Sequence, residues 1–370
     1  MTYLYIAAIA IVVMVTAYFG RAAALKKRDE KKTEEHVLAF IKNNPDKASM
    51  YAYVNGNTFI DYQSHRNMPL ASTVKIMIAI EYAKQVTSNK IDANESVPLN
   101  HLDKYYIPNT DGNAHPSWLT SLPSQAASDG CVSIHEVVCG MIAFSSNANM
   151  EYLIDYLGLD NINRTIEQLQ LDYHDPLFFL SSSFLLPFYM KEKEKWKRKE
   201  LNNRIKQMPY KEYMEHAQDI HHFLTHASPT ERSAAFHRFI RANLRLQRIM
   251  SCKLPCSTTK DYATVMKRLH LGDGLCTAQI CETVRTIMNR KLSPHSKFSY
   301  LGSKGGSTIS IYNDALFSKD IDGNTFDLAL FFHDFSEVDE MWLNKKINLF
   351  LHKFLVDTAF RPKVADTLAP

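Results

Sequence analysis

Strand-rich segments stand at both ends of this chain, separated by more than two hundred residues of helix-compatible sequence. Near the start, residues 50–63 read MYAYVNGNTFIDYQ, two β-rich arms around Asn55-Gly56. Asn-Gly is a strong hairpin signal, because both central positions of the tightest hairpin turn need positive φ. Near the end, KFSYLGSKGGSTISIYNDALFS and TFDLALFFHDF alternate apolar and β-branched residues, with Asp322-Gly323 as a turn between them. Residues 72–87 and 337–357 read as helices, and the stretch up to residue 290 reads as helices and loops. Strands at both ends can meet in one antiparallel sheet. The predicted fold class is therefore α/β of the α+β type: an antiparallel sheet from N- and C-terminal strands, flanked by helices, with a helical block between.

Composition narrows the class without naming a function. Of 370 residues, 45% are hydrophobic and 22% charged, which allows a packed core and excludes a disordered chain. The net charge of +4 is too weak to argue for nucleic acid. No period of 20 to 50 residues is visible, which argues against solenoids and propellers.

The charge is unevenly placed. Residues 176–190, PLFFLSSSFLLPFYM, are strongly apolar and run into KEKEKWKRKE. Between 191 and 250, fourteen Lys and Arg stand against seven Asp and Glu, a net of +7, so the rest of the chain carries −3. Residues 190–250 read as a basic helical insertion. Two settings fit it: a solvated helical block, or a membrane-surface element in which 176–200 dips an apolar hairpin beside basic and Trp196 anchors. No nucleic-acid motif accompanies these charges, so no nucleic-acid partner is expected.

Residues 3–19, YLYIAAIAIVVMVTAYF, are uncharged and sit at the short end of what spans a bilayer, roughly 17–25 residues. Tyrosines at both ends suit the interface. Residues 1–24 are predicted to be a single-pass anchor; the other reading is a cleaved signal peptide with Ala22, Ala23 and Ala24 at its cleavage site. Arg21, Lys26, Lys27 and Arg28 follow the run and favour a cytoplasmic chain. The chemistry below favours the outer side of the cell membrane. Residues 25–47 read as a charged linker or first helix and residues 359–370 as a tail. The six cysteines include C-x3-C at Cys252 and Cys256 and C-x4-C at Cys276 and Cys281. Those spacings fit zinc loosely, and fit buried thiols or one or two disulfides better, as do Cys131 and Cys139. No metal or cofactor is assigned.

The informative sequence is PLASTVKIMIAIEYAKQ. Ser72 and Lys75 are three apart, hence on one helical face. A serine is a weak nucleophile until a neighbouring base takes its proton. The residues after Lys75 are almost all apolar, so this helix is predicted to be buried, and a buried lysine needs a partner or a lowered pKa. The same S-x-x-K spacing recurs at Ser257 and Lys260, where STTKDYATVMKRL reads as an N-cap opening an amphipathic helix. Two further triplets follow the first: Ser145-Ser146-Asn147, and Lys304-Gly305-Gly306 on a predicted strand.

In order and setting, these three motifs resemble the S-x-x-K, S-D-N and K-T-G elements of class A β-lactamases and penicillin-binding proteins. The resemblance spans residues 48–358, with 190–250 as an insertion, and is specifically to membrane-anchored bacterial members. It implies that Ser72 attacks a carbonyl to form an acyl-enzyme, with Lys75 as general base or its assistant. Ser145 is implied to relay a proton to the leaving nitrogen, Asn147 to orient the substrate amide and the lysine, and Lys304 to attract the substrate carboxylate. Gly306 and Ser307 follow Lys304 on the implied substrate-binding strand. The implied oxyanion hole takes one backbone N–H from Ser72 and one near Ser307.

Two departures bear on substrate and turnover. In class A enzymes a Glu acting through water is accepted for deacylation. Here Asp175-Pro176, in LDYHDPLFFL, falls where an acid-Pro pair is expected. Aspartate is a methylene shorter, and a misplacement of about 1 Å can cost on the order of 10²-fold. Asp175 is therefore read either as the deacylating acid or as a loop residue before proline, with His174 as a weaker substitute base. The second departure is Gly305, where the family has Thr or Ser; the missing hydroxyl weakens the grip on a carboxylate. TDGNAHPSW at 110–118 reads as a surface loop or a border of the cleft. Three functions fit: β-lactam hydrolysis, a D-alanyl peptidase or esterase acting on peptidoglycan peptides, and a sensor that stays acylated.

Overall fold

The computed structural model describes residues 27–108, 110–239, 244–272 and 277–369; the apolar run 3–19, Ala22 to Ala24 and Cys276 lie outside the described residues. Helix α1 (Glu34–Asn43) precedes the hairpin β1 (Ala48–Val54) and β2 (Asn57–Tyr62). A 3-10 turn at Ala71–Val74 leads into α2 (Lys75–Thr87), and α3 (Ile134–Ala143), α4 (Asn147–Leu157) and α5 (Leu159–Gln168) follow. The stretch rich in basic residues folds as helices, the longest being α6 (Tyr210–His226), and ends in α7 (Leu244–Ser251). Next come α8 (Thr259–Leu271) and α9 (Ala278–Met288), then β3 (Phe298–Thr308), β4 (Ile311–Asp320) and β5 (Thr325–His333), and last α10 (Glu337–Val356) and α11 (Phe360–Leu368).

These elements divide into two compact units, Lys47–Asp334 and a smaller one formed by residues up to Asp46 with Phe335–Leu368. In the smaller unit α1, α10 and α11 pack on one another, with the Phe40 and Trp342 rings edge to face at 5.9 Å. Residues expected as a tail thus form α11.

The larger unit contains the sheet, in the order β2-β1-β5-β4-β3, antiparallel throughout. Its two ends join where β1 lies in register with β5, from Ala48 opposite Phe332 to Val54 opposite Phe326. Asn55 (φ 50°) and Gly56 (φ 78°) make the β1–β2 turn as the sequence predicts. The β3–β4 turn was hidden in the sequence. Only Ile309 and Ser310 separate those strands, and neither adopts the positive φ that leaves a glycine signature.

Helix α2 is buried at every position from Lys75 to Ala83 and packs on α3, α4, α5 and α9. An all-round apolar helix can sit only in a core. The apolar run 176–190 is likewise core. Leu177, Phe178, Phe179, Leu180, Leu185, Leu186 and Met190 are buried, and the Phe178 ring meets Tyr210 and Tyr213. This corrects the reading of 176–200 as a membrane-dipping hairpin, since its apolar surface is already covered by protein. Its lysines at 191, 193, 195 and 197 are exposed, as a solvated block requires. Among the described residues, no helix is long and apolar enough to cross a membrane.

Candidate active site

The turn that carries Ser72 is pinned from three sides. Leu70 N–H donates to the Pro255 carbonyl at 2.8 Å, and Asn313 on β4 donates to the carbonyls of Pro69 (2.8 Å) and Leu70 (3.2 Å). Ala71 adopts φ 47°, a costly conformation for a residue with a Cβ. On β3, a Cβ at Gly306 would come 2.6 Å from the Leu70 carbonyl and 2.7 Å from the Thr73 nitrogen. Gly306 is therefore where strand and turn touch, and the close approach leaves no room for a side chain.

Lys75 opens α2 beneath Ser72 and is fully buried. Its Nζ lies 3.1 Å from Ser72 Oγ, 2.5 Å from the Ser145 carbonyl, 3.2 Å from Ser145 Oγ and 2.9 Å from Asn147 Oδ1. Burial pushes its pKa well below the ordinary lysine value, and the Lys304 cation adds to this against the pull of Asp111 and Glu151. Burial thus favours the neutral amine, the form whose lone pair can serve Ser72.

Lys304 comes from β3, the edge strand of the sheet. Its Nζ donates to Ser145 Oγ at 3.0 Å and to the Gly305 carbonyl at 2.6 Å. Burial lowers its pKa to about 8, opposed by Asp314 and assisted by Arg290. Burial in turn raises Asp314 to about 6. Ser145, at φ 68°, holds its hydroxyl between both lysines. A hydroxyl has two acceptor lone pairs and one proton, so the proton remains for a third partner.

Ser146 caps α4 by accepting from Asn149 N–H, and the buried His115 places Nδ1 2.9 Å from the same hydroxyl. Burial lowers the His115 pKa against the raising influence of Asp111, so the ring is held towards its neutral form. Asn147 donates its side-chain amide to the Thr110 carbonyl at 3.2 Å. Asp111 accepts backbone N–H groups from Ala114 (3.2 Å), His115 (3.1 Å) and Asn147 (3.4 Å). The 110–118 segment is thus a border of the cleft and not merely surface.

Ser72, Ser145, Asn147, Lys304 and Ser307 line one cavity of about 560 Å³, with Lys75 buried beside it. Asp175 is not brought to this cavity. Its carboxylate accepts from the Cys256 N–H at 2.9 Å and the Tyr173 hydroxyl at 2.7 Å, which fastens the loop to Cys256–Ser257. His174 is held by the Asp175 carbonyl and the Tyr262 hydroxyl, and burial lowers its pKa to about 4. Both are placed as loop supports. At the second S-x-x-K, Thr258 rather than Ser257 caps α8, and Lys260 pairs with Asp172 at 2.8 Å. No disulfide joins the cysteines among the described residues.

Two residues that the sequence reading missed hold the cavity wall. Glu151 accepts the Ser181 N–H at 2.5 Å and the Ser182 hydroxyl at 3.2 Å. His221 on α6 places Nδ1 3.3 Å from Glu151, Nε2 3.7 Å from Asp155 at ion-pair distance, and its ring 3.5 Å over Phe179. Burial opposes its charge, but Asp155 and Glu151 outweigh burial and raise the pKa to about 9. Glu151 was findable, since it lies four residues after Asn147 on one helical face. His221 left no local signal.

The larger unit thus joins early and late strands in one sheet, with Ser72 on the turn that leads into a core helix and the buried Lys75 at the start of that helix. Residues 32–340 match the family described as the Beta-lactamase enzyme family, and the chain belongs to it. Among solved structures, the TLA-3 extended-spectrum β-lactamase superposes with a TM-score of 0.52 at 14% identity, over 90% of this chain and 99% of that one. A β-lactamase from Sphaerobacter thermophilus DSM 20745 gives 0.51 at 17%, over 83% and 89%. A class A representative from Bacteroides cellulosilyticus DSM 14838 gives 0.50 at 14%, over 88% and 99%. At these identities the likeness is one of fold. No curated protein sequence matches the chain.

Proposed function

We propose that the chain is a serine hydrolase that opens β-lactams through an acyl-enzyme at Ser72. The observation that carries this reading is the buried Lys75 amine, 3.1 Å from Ser72 Oγ and of depressed pKa. Neutral Lys75 takes the Ser72 proton as Oγ bonds to the lactam carbonyl carbon. The resulting oxyanion is held by the backbone N–H groups of Ser72 and Ser307. The proton then passes through Ser145 Oγ to the lactam nitrogen as the C–N bond breaks. Lys304 and Ser307 receive the substrate carboxylate. Water then attacks the ester and releases Ser72.

A second reading has support of its own. Among the described cavity-lining residues Asp111 is the only carboxylate, and three backbone N–H groups already occupy it. With no acid poised to activate water, the acyl-enzyme persists and the protein acts as a penicillin-binding sensor or a slow D-alanyl peptidase on peptidoglycan peptides. One experiment separates these. The full chain is incubated with a fluorescent penicillin and its intact mass followed with time. A decaying adduct at Ser72 supports hydrolysis, and a lasting one supports the binding protein. No adduct, with Ser72→Ala also leaving esters and peptides unaffected, removes both. The run 3–19 supports a single-pass membrane anchor; the β-lactam chemistry favours the catalytic unit outside the cell membrane, against the positive charges that follow the run. A C-terminal reporter active only in the cytoplasm that lit up would contradict that placement.

A further inference from the structure

Ser145 and Asn147 line the cavity, and Ser146 between them is fully buried. Ser145 stands at φ 68°, a conformation that a residue with a Cβ keeps only where its surroundings hold it. The hydrogen bonds of Ser146 show how it is held. Its Oγ lies 3.0 Å from Asn149 Oδ1, 3.2 Å from the Asn149 backbone nitrogen and 2.9 Å from His115 Nδ1. The Asn149 amide is fixed in direction, because its Nδ2 donates to the Val137 carbonyl at 3.0 Å. Oδ1 therefore accepts from Ser146, and the Ser146 hydroxyl proton is spent on it. Oγ then accepts from the Asn149 N–H and has one lone pair left, so His115 must donate. A hydroxyl turned instead to His115 would leave two acceptor oxygens facing each other at 3.0 Å.

We propose that His115 carries its proton on Nδ1 and is a positioning residue: the hydrogen bond it donates locks Ser146, and so fixes the turn that presents the Ser145 relay and the Asn147 amide. This role rests on the acyl-enzyme reading, and His115 acts through Ser146 rather than on the substrate. The ring is well seated. It sits on the short helix Ala114–Ser121, 2% exposed, with ring centroids 5.0 Å from Tyr106 and 5.5 Å from Trp118. Asp111 accepts both the His115 N–H at 3.1 Å and the Asn147 N–H at 3.4 Å, so one segment grips two neighbouring residues of the motif. Burial lowers the pKa of the ring against Asp111, Asn149 and Asp103, which favours the form with a single N–H.

Two variants separate the donor from the ring. His115→Phe keeps a ring between Tyr106 and Trp118 but cannot donate. His115→Asn gives up the ring but offers an amide N–H near the place of Nδ1. Misplacing a catalytic group by about 1 Å can cost on the order of 10²-fold. At saturating fluorescent penicillin, His115→Phe should therefore label Ser72 about tenfold or more slowly, with little change in the concentration that gives half the maximal rate. His115→Asn should recover most of that rate; thermal melts check that both variants fold. Equal labelling by wild type and His115→Phe, or no recovery in His115→Asn, overturns the role. A second arm needs no acylation and no altered protein beyond an assignment control. In the full chain labelled with isotopic histidine, nitrogen NMR should show a protonated Nδ1 for His115, the signal missing from His115→Asn. A bare Nδ1 with the proton on Nε2 overturns the proposal. If the wild-type chain takes no penicillin, the acyl-enzyme reading falls; a protonated Nδ1 then still supports the donated bond, and a bare one removes it.

Discussion

Two lysines of unequal character share one serine hydroxyl. Lys75 works as a base only when neutral, so acylation should rise with pH as it loses its proton. Lys304 attracts a carboxylate only when charged, so with its pKa near 8 that attraction should fade above about pH 8. Acylation by a penicillin is expected to fall on the alkaline side, while a neutral ester shows no fall there. An alkaline fall shared by the ester would remove Lys304 from that role. The two glycines after Lys304 make an opposite pair. A Cβ at Gly305 meets only the Asn313 carbonyl at 3.5 Å, an ordinary contact. Gly305→Thr should restore a hydroxyl for the carboxylate and lower the penicillin KM several-fold, about 1 kcal/mol. Gly306→Ala drives a methyl into two backbone atoms and should cost about 1–3 kcal/mol of stability together with labelling of Ser72. Ser72, Lys75, Ser145, Asn147, Lys304 and Ser307 were all legible as residues. Asp175 was legible as an acid before proline, but the direction of a side chain on an irregular loop is set by its partners, here Cys256 and Tyr173.

At the level of elements, α6 acts on the site without lining it. Its His221 has a folded pKa near 9, above the ordinary 6.5. A raised pKa means that the stabilisation is complete below pH 6.5 and is lost as pH climbs through about 9. His221→Phe keeps a ring over Phe179 but removes the cation between Glu151 and Asp155. The variant should melt lower, by the equivalent of about 3 kcal/mol, with the gap widest below pH 6.5 and closing towards pH 9. A gap independent of pH would assign the loss to packing alone. Regular elements were readable because periodicity and turn chemistry are local, as at Asn55-Gly56. The coupling of α4 to α6 was not, because Glu151 and His221 are seventy residues apart. The run at 176–190 shows the other limit. Apolar sequence says that a segment avoids water, and only packing against Tyr210 and Tyr213 says where it goes.

At the level of the molecule, the chemistry depends on pieces far apart in the chain. Ser72 and Ser145 are separated by 73 residues, and Ser145 and Lys304 by 159. The helices between residues 186 and 251 contribute to the same cavity, so replacing 195–240 with a short flexible linker should abolish penicillin labelling as well as lower the melting temperature. Retained labelling would show that this block is dispensable. The sheet also imposes an order of events. β1 pairs with β5, and the strand carrying Lys304 lies two places beyond β5. A ribosome making this chain therefore releases the nucleophile and its base more than two hundred residues before the strand that completes their cavity. Until that strand arrives, Ser72 lacks the Lys304 and Ser307 that the proposed mechanism assigns to the carboxylate and the oxyanion. On that mechanism the growing polypeptide is expected to be inert towards acylating compounds until the closing strands take their place.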